Sequence, residues 1–160
     1  MSKFNFKTEE DFWKVKEEKE KFYKAIGEVY CPYFKEKIKF NSKGWKHLRF
    51  KANRKARSKK DQYARFKLLY LAPEVLKQSH TLQGIWQTKG FEYQKINKRW
   101  ENIFKNITFY EFIAVLDNVR VKVIVKQVED GEKYFWSIIP FWRIEKTTGR
   151  RILYSNLVYD

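Results

Sequence analysis

The stretch 119-VRVKVIVKQVEDGEKYFWSII-139 decides how this chain is read. On either side of Asp130-Gly131, β-branched and aromatic residues alternate with polar ones, which is the pattern of two strands joined by a tight hairpin turn. A two-residue turn at Asp130-Gly131 predicts the pairs Glu129–Glu132, Gln127–Tyr134, Lys126–Phe135, Val125–Trp136 and Ile124–Ser137. Side chains alternate between faces, so Val121, Val123 and Val125 are expected to join Trp136 and Ile138 on an apolar face. Lys122, Lys126, Phe135 and Ser137 then share the other face, with Lys126 and Ser137 diagonal neighbours within reach of one phosphate. Taken alone, that set is also what an ordinary solvated sheet face carries.

Further strands lie around this hairpin. Gly84–Thr88 and Thr108–Val115 read as strands, and Asn97–Asn106 between them is ambiguous, with a helical insert among its readings. Phe141–Lys146 and Arg151–Ser155 form another hairpin pattern around Thr148-Gly149. Before Gly84 the period is helical. Thr8 with Glu9, Glu10 and Asp11 marks a helix start, and the helix runs to about Ile26 before Gly27. Ile38–Phe40 is a short strand candidate, and Trp45–Lys51 alternates as an extended segment would. Ser58-Lys59-Lys60-Asp61 opens a helix through about Ala72, with Ala64, Leu68 and Leu71 on one side and Arg65 on a flank. Pro73 starts a further turn of helix ending near Ser79. Helices followed by hairpin-linked strands predict an α+β fold, with N-terminal helices (about 8–79) packed on an antiparallel sheet (about 84–155) in one domain spanning 1–160.

The chain has 160 residues, 43% of them hydrophobic and 19% aromatic, enough for a packed core and unlike a disordered polyelectrolyte. No apolar run approaches the length of a membrane span, and Lys7–Lys24 lacks the apolar core of a secretory signal, so a cytoplasmic protein that avoids membranes is expected. Lysine and arginine outnumber acids 35 to 19, for a formal charge of +16. Residues 1–80 hold 22 of the bases against 10 acids, and Ser42–Lys67 holds eleven bases against Asp61 alone. Such a patch neutralises phosphates. Its interleaved Trp45, His47, Phe50 and Tyr63 are expected to stack on bases. Lys43, Lys46, Arg49, Lys51, Arg54 and Arg57, with Lys122 from the sheet, are therefore candidate nucleic-acid contacts; a solvated basic surface is the plainer alternative.

Phosphate loops, nucleophile elbows and zinc-binding helix motifs are all missing from the sequence. The single cysteine, Cys31, reads as a core thiol. Glu129, Asp130 and Glu132 read as a solvated turn rather than a magnesium site, so no metal and no cofactor are expected. RNA allows cleavage without a metal, because its own 2′-hydroxyl can attack the adjacent phosphorus. The protein then supplies proton transfer and cations. Only His47 and His80 suit proton transfer near neutrality; His47 lies in the basic patch, and His80 fits a helix C-cap equally well.

Cys31-Pro32-Tyr33-Phe34, then Phe40 through Gly44-Trp45-Lys46-His47-Leu48, then an arginine-bearing helix, then Val123-Ile124-Val125-Lys126 and Gly131-Glu132-Lys133-Tyr134-Phe135-Trp136-Ser137, occur in that order over residues 30–140. The set resembles the phage-type barnase/EndoU/colicin/RelE-like (BECR) nucleases. The resemblance implies helices packed on a four-stranded antiparallel sheet and metal-independent RNA cleavage. Carried over by position, it implies His47, Arg65, Lys126 and Ser137 as catalytic residues. Where the pattern has a second histidine, this sequence has Arg49 and Lys51, which leaves the general base open. The leading expectation is a toxin-like endoribonuclease that acts on RNA and binds DNA non-specifically, with an acidic inhibitor protein as a natural partner. The alternatives are a non-catalytic nucleic-acid-binding protein of the same fold and a module for acidic protein partners.

Overall fold

The computed structural model describes residues 5–140, 142–144 and 151–153. Helix α1 (Glu9–Ile26) starts where the sequence says it should, because Thr8 Oγ1 accepts the Asp11 N–H at 3.1 Å. It stops at Gly27, whose φ of 67° suits glycine. Phe12, Val15 and Tyr23 form its buried stripe. Strands β1 (Glu28–Cys31) and β2 (Glu36–Lys39) pair as a short antiparallel hairpin. Burial raises the Cys31 thiol pKa and keeps it a core thiol.

The segment expected to be extended is helix α2 (Ser42–Arg49). Asn41 decides it: its side chain accepts the Gly44 N–H at 3.2 Å and caps a first turn. Gly44, Trp45 and Leu48 are all buried, a helical spacing that outweighs the alternation read over so few residues. Gly44 is the docking point of α2, since a Cβ there would collide with the Phe135 carbonyl and the Tyr23 hydroxyl. Gly44→Ala is expected to destabilise the protein by about 1–3 kcal/mol, read as a lowered urea midpoint.

Ser58 caps α3 (Lys59–Leu68) as expected, accepting the Asp61 N–H at 3.1 Å. The helix ends before Ala72; a break at Leu69–Tyr70 precedes α4 (Leu71–Gln78). Pro73 sits in the first turn of α4, where its missing N–H leaves no hydrogen bond unmade. Arg65 is not on a flank. It is fully buried, among the largest such side chains.

Strands β3 (Gly84–Ile96) and β4 (Arg99–Leu116) form one long hairpin, so Asn97–Asn106 is not a helical insert. Asn97 and Lys98, with φ of 49° and 68°, make the two-residue turn that such a hairpin favours. Asp117 and Asn118 turn the chain in the same way into β5 (Val119–Val128), which pairs with β6 (Tyr134–Pro140). The sheet order is β1-β2-β6-β5-β4-β3, antiparallel except at a short parallel junction of β2 with β6, Lys39 opposite Tyr134. Outside this sheet, β7 (Trp142–Ile144) pairs with β8 (Arg151–Leu153); the Thr148-Gly149 turn lies outside the described residues. The architecture is α+β, and no helix among the described residues is long and apolar enough to cross a membrane.

The central hairpin departs from its expected register. Ile124 faces Ser137 as expected, but Val125 then faces Phe135 and Lys126 faces Tyr134, with an irregularity between Ile124 and Val125. Asn106 explains the tip: its carbonyl accepts the Glu129 N–H and its own N–H donates to Glu129 Oε1, both at 2.8 Å. This hold on Glu129 opens a longer loop than a two-residue turn at Asp130-Gly131. The extra residue in β6 exchanges Phe135 and Trp136 between faces. Phe135 joins Val121, Val123, Val125 and Ile138 in the main core with the helices. Trp136 instead packs with Ile107, Phe109, Ile124 and Ile139 in a second cluster.

Candidate active site

Helix α2, the chain after it and strands β3 to β6 surround a cleft of about 420 Å³. Six cations line it: Lys43, Lys46, Lys51, Arg54, Lys89 and Lys126. Glu92 is the one carboxylate among the described residues of its lining, and it pairs with Lys126 Nζ at 2.8 Å. Lys126 is almost buried, its Nζ 4.0 Å from the Trp136 ring centroid. Burial lowers its pKa, and Glu92 opposes that shift. Tyr134 completes this corner. Among the described residues its hydroxyl is buried without a hydrogen-bond partner, and burial raises its pKa so that it stays protonated.

His47 also lines the cleft, stacked on Trp136 with centroids 3.8 Å apart. It is 3% exposed and held from behind by Arg57, whose Nε donates to the His47 carbonyl at 2.9 Å. Arg57 Nη2 lies 3.1 Å from His47 Nε2. A guanidinium can only donate, so Nε2 is the acceptor and the ring proton resides on Nδ1. Asp61 links Arg57 (3.4 Å) to Arg65 Nε (2.9 Å), and Arg65 Nη1 donates to Ser137 Oγ at 2.5 Å.

The four residues expected to be catalytic therefore divide. His47 and Lys126 meet in the cleft, whereas Arg65 and Ser137 lie behind it, bonded to each other and absent from its lining. Lys126 turns to Glu92 rather than toward Ser137, because the irregular register separates the diagonal pair. Of the expected nucleic-acid contacts, Lys43, Lys46, Lys51 and Arg54 are exposed and line the cleft. Arg49 is half-buried over Phe50 and outside the lining. Arg57 and Lys122 are 3% and 2% exposed, one engaged with His47 and Asp61, the other with Glu111, so neither is a surface contact. The expected base stackers Trp45, His47 and Tyr63 are buried too; Trp45 already stacks on Phe66, and only Phe50 of that set is partly open. His80 does not cap α4; the Ser79 N–H closes it on Leu76.

Glu92 and Tyr134 are functional candidates that the sequence did not single out. Glu92 sits between Thr88 and Asn97, where the sequence pattern assigns no element, and Tyr134 reads as an ordinary strand aromatic. Among the described residues no group of three or more His, Cys, Asp or Glu side chains is placed to share a metal ion.

The buried phenols predict alkaline behaviour. Tyr23 and Tyr134 keep their protons in the folded chain well above the usual tyrosine range because burial disfavours the phenolate. Unfolding above about pH 10 therefore releases protons, and stability falls as pH rises there. Lys126 acts oppositely: its lowered pKa means unfolding takes up a proton at high pH, and its share of stability rises. Burial raises Tyr63, Tyr70 and the Cys31 thiol in the same direction as the two phenols, and lowers Lys19 as it does Lys126. The acids outnumber the amines and predict a net fall, which Tyr134→Phe should make shallower in urea titrations between about pH 9 and 11.

No protein-family model, curated protein or solved structure matches the chain. Its fold and site define an α+β protein with a cationic, aromatic-walled cleft braced by buried arginines.

Proposed function

We propose that the chain is a metal-independent endoribonuclease of BECR type, cutting RNA through attack of the substrate's own 2′-hydroxyl. The observation that carries this is the meeting of Lys126, Glu92 and the unpartnered Tyr134 hydroxyl in one cationic cleft. N-terminal helices packed on a hairpin-built sheet support it as well. A phosphate entering the cleft competes with Glu92 for Lys126, since both are anions seeking one ammonium. Glu92, displaced but adjacent, takes the 2′-hydroxyl proton as that oxygen closes on phosphorus. Lys126 neutralises the charge growing on the non-bridging oxygens, and the protonated Tyr134 donates to the same oxygens. The bond to the 5′-oxygen breaks, the leaving oxygen takes a proton from water in the cleft, Glu92 returns its proton to solvent, and a 2′,3′-cyclic phosphate and a 5′-hydroxyl remain. His47 shapes the Lys126 corner through Trp136, and Arg57, Asp61, Arg65 and Ser137 position it. An acidic inhibitor protein would complement the cationic rim under this reading, as would a toxin-like role.

One observation favours a second reading, nucleic-acid binding without cleavage. Arg57 occupies the Nε2 lone pair of His47, so the histidine accepts no substrate proton while that contact lasts.

Labelled RNA and its 2′-deoxy counterpart, each incubated with the protein in excess EDTA, separate the readings. Cleavage of RNA alone, leaving cyclic phosphate ends, is the expected result. Magnesium-dependent cutting, or equal cutting of the deoxy strand, would contradict the mechanism; binding of both with cutting of neither would favour the second reading. Tyr134→Phe should bind RNA normally and turn over about 10²-fold more slowly, the usual loss for one transition-state donor.

A further inference from the structure

The outer half of the β3–β4 hairpin carries four large aromatic rings in solvent. Phe91 is 70% exposed, Tyr93 53%, Trp100 57% and Phe104 57%. The pairing of Phe91 with Phe104, Tyr93 with Asn102 and Lys95 with Trp100 places all four rings on one face of the arm. Tyr93 and Trp100 stack with centroids 5.0 Å apart, and Phe91 and Phe104 lie 5.2 Å apart. A soluble chain that leaves such a row uncovered has a use for it.

Two features say what covers it. The row is continuous with the cleft, because Phe91 and Tyr93 belong to the cleft lining and Arg54, another lining residue, sits 5.8 Å over the Tyr93 ring. Its surroundings are also net cationic: Lys89, Lys95, Lys98 and Arg99 are exposed on the arm against one exposed acid among its described residues, Glu101, while Glu92 is turned to Lys126. Flat rings beside ammonium and guanidinium groups suit a chain of phosphates bearing unpaired bases, since every base offers a face for stacking. In a duplex those faces are already stacked on one another. Alternate residues of a strand are ~7 Å apart, which spaces successive rings for successive bases of an extended strand.

We infer that this arm binds single-stranded RNA flanking the nucleotide held in the cleft, and so restricts the protein to unpaired RNA. The inference rests on reading the cleft as an RNA site, but its test needs no cleavage. Fluorescence anisotropy of labelled 2′-O-methyl oligouridylates, which have no free 2′-hydroxyl, measures binding alone. Trp100→Ala/Phe104→Ala alters the arm outside the cleft lining. The unaltered protein should bind a 12-mer at least about tenfold tighter than a 4-mer, and the double variant should lose that advantage while binding the 4-mer unchanged, as expected for stacked bases. A variant that keeps the full 12-mer advantage would overturn the inference, as would a 12-base-pair duplex bound as tightly as the single strand. So would polyglutamate binding that depends on Trp100 and Phe104 while 12-mer binding does not, which would assign the arm to an acidic protein. Loss of cutting in EDTA with arm-dependent 12-mer binding retained would remove the nuclease reading and leave this one standing.

Discussion

Lys126→Ala is expected to slow RNA cleavage by about 10²–10³-fold while changing RNA affinity far less, because Lys126 meets charge that exists fully only in the transition state. Single-turnover rates set against binding of an uncleavable analogue measure the two effects apart. The variant also leaves Glu92, only 16% exposed, without its partner, so some stability is lost with the rate. A charge left alone in a buried site is costly, whereas replacing both members by apolar residues is often neutral. Lys126→Met/Glu92→Leu should therefore recover the melting temperature and remain inactive. Recovery of activity along with stability would reduce Lys126 to a structural role.

Arg65→Met is expected to give the largest stability change. Arg65 is fully buried and ties Asp61 to Ser137, so removing it leaves the Asp61 carboxylate and the Ser137 hydroxyl each short of a partner. Breaking a buried ion pair from one side costs about 3–5 kcal/mol. Asp61 is about one-third exposed, which lets water replace part of what is lost and points to the lower end of that range. At about 2–4 °C per kcal/mol for a chain of this size, the melting temperature should drop by roughly 10 °C. Because Asp61 also holds Arg57, and Arg57 holds His47, any protein that still folds should show a displaced His47 ring and altered Trp136 fluorescence. An unchanged melting temperature would mean that the buried network contributes nothing to the fold.

The candidate site was legible in its chemistry and not in its assembly. His47, Lys126 and the lysines after Lys43 stand out because charge and rare residue types show in a sequence. Glu92 does not, since a glutamate in an alternating strand looks solvated until the partner strand is known. Arg57 and Lys122 look like surface cations for the same reason. Each is buried with a carboxylate beside it, Arg57 with Asp61 four residues on and Lys122 with Glu111 of the neighbouring strand, and their burial follows from the tertiary packing around them.

Local rules determined α1, the start of α3, β5 and the order of helices before hairpins, because caps, glycines and alternation act within a few residues. The tertiary structure alone decided the rest. Trp45–Leu48 satisfied two periodicities until Gly44 had to fit against the Phe135 carbonyl. The Asp130-Gly131 turn gave way to the bonds between Glu129 and Asn106 of a neighbouring strand. That shift moved Trp136 to the cleft side, where His47 and Lys126 both meet its ring. Strand register and the burial of charge depend on residues far apart in the chain, and no local pattern carries that information.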